Sequence, residues 1–124
     1  MPVLNPSDSP TFTLPGATFT GLASPSRGSV ETSLWRVRLD PGTPGLPHRL
    51  TREEIFLVTA GSANATVGDD SHRLTEGCTL IVPPNVDFSL ANDGPTVFEA
   101  IALMPVGGAA MAGDGAPFTP PWAL

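Results

Sequence analysis

His48 and Glu54 stand six positions apart in a 124-residue chain that holds two histidines, one cysteine and no lysine. An imidazole changes charge near neutral pH, and a carboxylate accepting from one ring nitrogen leaves the other as a general base or acid towards a bound molecule. The same two side chains also have a purely structural reading, a hydrogen-bonded contact with Arg36 or Arg38 neutralising Glu54. His72, beside Gly68-Asp69-Asp70, is either a charged surface group or a third donor next to His48 and Glu54. Cys78 precedes the apolar run Thr79-Leu80-Ile81-Val82, a setting that raises a thiol's pKa and leaves it inert.

Other chemistries are excluded by what the chain lacks. Without lysine there is no Schiff base and no lysine-dependent phosphate loop. A net charge of −6 with no basic cluster argues against nucleic acid and against a polybasic membrane anchor. The opening MPVLNPSDSP has no basic region followed by an apolar one, and no apolar run approaches the roughly 18 residues of a membrane span, so the expected compartment is the cytoplasm.

These residues must be positioned by strands. The 13 glycines and 15 prolines punctuate the chain too densely for long helices, while charged residues, at 15%, are too few for disorder. From Glu31 to Asp40 the residues alternate, with Trp35, Val37 and Leu39 on one side and Leu34, Arg36 and Arg38 on the other. The side bearing Arg36 and Arg38 faces either water or a cavity, and in a cavity the two would suit a carboxylate ligand. Further strands are expected at Thr11 to Leu14, Ala17 to Leu22, Glu54 to Thr59, Ser62 to Val67, Ser71 to Leu74, Cys78 to Val82, Phe88 to Ala91 and Thr96 to Met104. Short strands separated by turn signals imply one all-β domain, a sandwich or a barrel. A proline-rich arm (1–29) precedes the barrel (30–104), and a Gly/Ala-rich tail (105–124) follows it. The arm carries Phe12 and Phe19 and the tail Phe118 and Trp122, apolar groups with reason to dock on this chain or on a second copy.

Two glycine-delimited motifs narrow this further. Gly42, five residues, His48, then Glu54, six residues, Gly61 is followed after fifteen residues by Gly77, five residues, Pro83, and then by Asn92. The pattern resembles a small single-domain cupin, which implies a double-stranded β-helix, the jelly-roll barrel. In that family four residues, three histidines and a glutamate, usually hold a metal. Here the second histidine's position is Leu50, the third is Phe88, and Asn85 replaces a motif glycine. Neither leucine nor phenylalanine donates an electron pair, and catalytic metal sites generally use at least three protein ligands. No cofactor is therefore expected, and a metal would need His48, Glu54 and His72 together.

The resemblance implies that His48 and Glu54 look into the barrel, in a pocket formed by Leu50, Phe56, Val58, Phe88 and Trp35 or its neighbours, with Arg36 and Arg38 as polar candidates. Burial among these groups disfavours a charged imidazole and an ionised Glu54 favours it. Three functions follow as expectations. The first is a small-molecule cupin performing metal-independent acid/base catalysis, of the isomerase, cyclase or lyase type, through His48 and Glu54. The second is a non-catalytic module that binds a ligand or assembles with itself. The third is a metal-dependent cupin of the dioxygenase type with rearranged ligands. A homodimer is expected, with the apolar arms covering a sheet edge in the partner.

Overall fold

In the computed structural model, which describes residues 2–124, alternating apolar residues form strands and the glycines and prolines form the turns between them. The strands are β1 (Thr11–Leu14), β2 (Ala17–Ala23), β3 (Thr32–Leu39), β4 (Arg49–Leu50), β5 (Glu54–Ala60), β6 (Ser62–Val67), β7 (Asp70–Thr75), β8 (Thr79–Val82), β9 (Phe88–Ala91), β10 (Phe98–Pro105) and β11 (Ala110–Met111). Helical structure among the described residues is limited to three short 3-10 turns.

One sheet runs β1-β2-β3-β10-β5-β8, a second β7-β6-β9, and β4 pairs with β11. All of these pairings are antiparallel. The result is the jelly-roll barrel that the motifs imply, with β6 and β7 forming the expected hairpin. Its core is the inward set of each strand: Trp35, Val37 and Leu39 from β3, Phe98, Ala100 and Ala102 from β10, Phe56 and Val58 from β5, Ala63 and Ala65 from β6. Fully burying a large apolar side chain of this kind contributes about 1.5–3 kcal/mol. The small alanines of β10 and β6 at the centre leave room for the aromatic rings around them.

The motif residues other than His48 and Glu54 serve this frame. Gly61 turns β5 into β6 at φ 73°, and a Cβ there would collide with the Val97 carbonyl. Asn85, the replacement for a motif glycine, sits at φ 61°, the left-handed region that asparagine tolerates better than most residues. Asn92 is fully buried: its Nδ2 donates to the Leu39 carbonyl at 3.0 Å and the Thr96 carbonyl at 2.9 Å, while its Oδ1 accepts from the Gly94 N–H at 3.1 Å. It ties the loop before β10 to the end of β3.

Both arms dock on this chain. β1 and β2 extend the large sheet, and Trp122 in the tail stacks on Phe19, centroids 3.8 Å apart and planes within 5°. Phe12 lies against the same indole at 6.3 Å. The Ser33 hydroxyl, buried, donates to the Ala123 carbonyl at 2.9 Å and pins the chain end in place. Of the four aromatic groups expected to reach a partner, Phe12, Phe19 and Trp122 are thus engaged within the chain, and Phe118 is exposed.

Candidate functional site

Strand alternation places Glu54, Phe56 and Val58 on the inner face of β5, with Glu54 opposite Val82 of β8. Glu54 is 5% exposed, and what it touches is a cavity of about 110 Å³ bounded by Phe19, Trp35, Val37, Leu39, Phe56, Leu90, Pro120 and Trp122. Among the described residues its carboxyl has no hydrogen-bond partner and no cation within 4.0 Å, and its oxygens open onto the cavity. Burial away from water therefore pushes it from its ordinary value of 4.5 up to about 8. A carboxyl with that titration carries its proton at neutral pH.

A larger chamber of about 340 Å³ adjoins this one and shares Phe19, Leu39 and Leu90 as walls. Leu14, Pro15, Ala17, Thr43, Pro44 and Leu46 complete it. Through the shared walls the two make one apolar funnel, half-open to solvent, with Glu54 on its smaller chamber. The tail supplies Pro120 and Trp122 to the wall of that chamber.

His48 is elsewhere. It follows Pro47 in the loop before β4, exchanges backbone hydrogen bonds with Phe88 at 3.0 and 2.8 Å, and its ring Nδ1–H donates to the Leu46 carbonyl at 2.9 Å. Its ring leans on Phe88, with centroids 4.3 Å apart, and Phe88 in turn leans on Phe56 at 5.9 Å. The expected pairing of His48 with Glu54 is therefore not made, because local backbone and aromatic contacts hold the imidazole at the loop.

Other expectations are corrected in the same way. Arg36 and Arg38 point out of the barrel, since Trp35, Val37 and Leu39 take the inner face of β3. Arg38 pairs with Glu99 at 3.5 Å on the outer face, and Arg36 borders a small outer crevice with Leu4, Pro6 and Leu22. Among the expected pocket residues, Phe56 lines the Glu54 cavity, whereas Leu50, Val58 and Phe88 are buried packing that does not border it. His72 stands exposed on β7 opposite Ala65, apart from His48 and Glu54. Cys78 borders neither chamber, and hydrogen bonds with Thr75 lower its thiol pKa, opposite to the expected direction.

Walls of the Glu54 cavity missed from the sequence include Leu90 on β9 and, from the arms, Phe19, Pro120 and Trp122. For the arms the signal was their aromatic rings, Phe19 and Trp122, set in proline-rich segments.

Residues 35–104 match the family model of the cupin domain, more than half of the chain. The chain belongs to the cupin family. Solved structures with the same fold include the polyketide cyclase RemF from Streptomyces resistomycificus, 15% identical with a TM-score of 0.74, covering 85% of this chain and 79% of that one. An RmlC-like cupin from Shewanella frigidimarina is 20% identical with a TM-score of 0.69, covering 80% and 85%. Salicylate 1,2-dioxygenase from Pseudoaminobacter salicylatoxidans is 18% identical with a TM-score of 0.72, covering 86% of this cupin and 31% of the dioxygenase. No curated protein matches the sequence. At these identities the likeness concerns the fold.

The metal that many cupins hold does not fit the donors of this one. Among the described residues no three His, Cys, Asp or Glu side chains converge, and Leu50 and Phe88 occupy two of the motif's donor positions. Among the described residues no helix is long and apolar enough to cross a membrane.

Proposed function

We propose that this cupin binds a small organic molecule in the funnel and that Glu54 exchanges a proton with it, in a reaction of the isomerase, cyclase or lyase type. The observation that carries this reading is a single carboxyl on an inward-facing residue, without a partner among the described residues, whose oxygens open onto an apolar cavity. A structural carboxylate in such a place is normally paired, because an unpaired buried polar group costs free energy. Functional sites are where such a cost is tolerated. Protonated at neutral pH, Glu54 donates to a bound oxygen as a general acid, and after donation the same carboxylate recovers a proton from carbon or oxygen as a base. A ligand that fills the chamber displaces its water, and the apolar walls then strengthen the carboxyl's interaction with charge developing on the ligand. His48 has no part in these steps.

The test is proton exchange itself. The protein is incubated in D2O with a panel of small ketones, and loss of the α-proton signals is followed by NMR. Exchange that depends on the protein and disappears in Glu54→Gln supports catalysis. Ligand-induced protection against thermal unfolding without any exchange would instead make this cupin a binding module.

The same reading includes a homodimer, formed through the outer face of the large sheet rather than through the arms. Leu34, Leu103, Ile55 and Ile81 stand in register across β3, β10, β5 and β8, with Ile101 and Leu57 in the adjoining row. Leu57 is 46% and Ile81 57% exposed, and an apolar patch continuous across four strands matches a two-fold copy of itself. Sedimentation at micromolar concentration is expected to give a dimer that Ile81→Asp dissociates, and a wild-type monomer would contradict it.

A further inference from the structure

Building on the reading of Glu54 as the working group of the cavity, we propose that the ligand is a neutral, flat, ring-containing molecule with one hydrogen-bond acceptor, of the aryl ketone or aldehyde class, whose acceptor meets the Glu54 carboxyl. Each part of this description follows from a wall of the funnel.

Charge comes first. Among the described residues no arginine or histidine borders either chamber. Arg36 and Arg38 face outward, Arg27 is bonded to the Leu22 and Asp8 carbonyls, Arg49 to the Gly113 carbonyl, and Arg73 pairs with Asp93. A carboxylate or phosphate ligand would enter a greasy cavity with no cation among the described walls to balance it.

Polarity comes second. Apart from the indole N–H groups, the described walls of the two chambers carry two polar side chains, Glu54 and Thr43. The Thr43 hydroxyl is already engaged with the Asp40 carbonyl at 2.7 Å and the Gly16 carbonyl at 3.1 Å. A sugar or polyol would lose its water bonds and find few partners in return. A molecule with one polar end and an apolar body loses little, and its polar end is met by Glu54.

Shape comes third. Trp122 lies parallel on Phe19 at 3.8 Å, so the slot beside Glu54 is already walled by one flat ring laid on another. Trp35 and Phe56 supply further aromatic surface, and offset stacking or edge contacts with such rings favour a planar guest. The combined funnel is at the small end of ligand pockets, enough for a two-ring compound. The raised titration of Glu54 is consistent with its acting as donor, which selects an acceptor on the ligand.

The chain has two tryptophans, and both border the Glu54 cavity, so intrinsic fluorescence reports on it directly. The experiment titrates the full chain at pH 6.5 with 2-acetylnaphthalene, 2-methylnaphthalene and 2-naphthoate, reading tryptophan emission and heat. 2-Acetylnaphthalene is expected to bind about tenfold more tightly than 2-methylnaphthalene, as one net hydrogen bond allows. Glu54→Gln, which keeps a donor, retains that advantage, and Glu54→Leu removes it. 2-Naphthoate is expected to be the weakest of the three.

Equal binding of ketone and hydrocarbon by the wild-type protein would overturn the acceptor claim, and preference for 2-naphthoate would overturn the neutral class. In both cases the tryptophans respond, and the reading of the cavity as a binding site survives. No response of the folded protein to any probe would overturn both together.

Discussion

Glu54 and His48 are separated by five residues and by two entirely different surroundings. Glu54 opens a strand whose alternation drives it inward, against Phe19, Trp35, Phe56 and Trp122, where nothing among the described residues compensates a negative charge. His48 belongs to a proline-bounded loop, bonded to Leu46 and bridged to Phe88 through its backbone. A motif position thus transmits a backbone location and not a chemical role. Where three imidazoles converge on a glutamate, the carboxylate is balanced by a cation. With Leu50 and Phe88 in place of two of them, the glutamate remains as a lone acid and the histidine is left without an inner partner.

Glu54 itself ties stability to pH. Its folded pKa, about 8, lies above its unfolded value of 4.5, so between those values the folded chain holds a proton that the unfolded chain has released. That contribution to stability is fully present below the unfolded value and is lost as pH rises towards the folded one, at about 1.4 kcal/mol per pH unit. Glu54→Gln cannot ionise and is expected to gain on the wild type by roughly 4 kcal/mol between pH 4.5 and pH 9. Urea unfolding at both pH values checks this, and parallel profiles would refute it.

Asn92→Ala tests the frame that carries both regions. It strands the Leu39 and Thr96 carbonyls and the Gly94 N–H, and a loss of about 3 kcal/mol is expected in the same unfolding assay. Trp122→Ala sharpens the contrast from the other side. Removing the half-buried indole is expected to cost about 2 kcal/mol and to admit water beside Glu54, moving its titration back towards the ordinary carboxylate range. His48→Ala is the smallest, under about 1 kcal/mol in stability, because its one side-chain hydrogen bond lies at the surface. It is expected to leave the Glu54 midpoint unchanged, as read by carboxyl NMR.

Much of the frame is legible in the amino-acid order alone. Alternation in β3 and the short apolar run of β5, with Gly61, Gly68 and the Pro83-Pro84 pair as stops, specify strands, and side-chain direction in a strand has a period of two. That period also places Glu54 on the same side as Phe56 and Val58. It does not say which side of β3 is inner. Arg36 and Arg38 alternate as regularly as Trp35 and Val37, and only closure of the barrel decides that the large apolar set goes in. His48 is harder still, because a residue in a proline-rich loop has no periodicity to read. The tail is the least legible, since its place on Phe19 depends on contact across a hundred residues of chain, with β11 pairing over only two residues.

Glu54 is read as an isolated acid held neutral by its apolar surroundings. The most direct measurement is a 13C NMR titration of the glutamate side-chain carboxyls, with Glu54 assigned by its disappearance in Glu54→Gln. One carboxyl with a midpoint near 8, absent from the variant, is expected. A Glu54 midpoint between about 4 and 5, the range of an ordinary solvated glutamate, would contradict it.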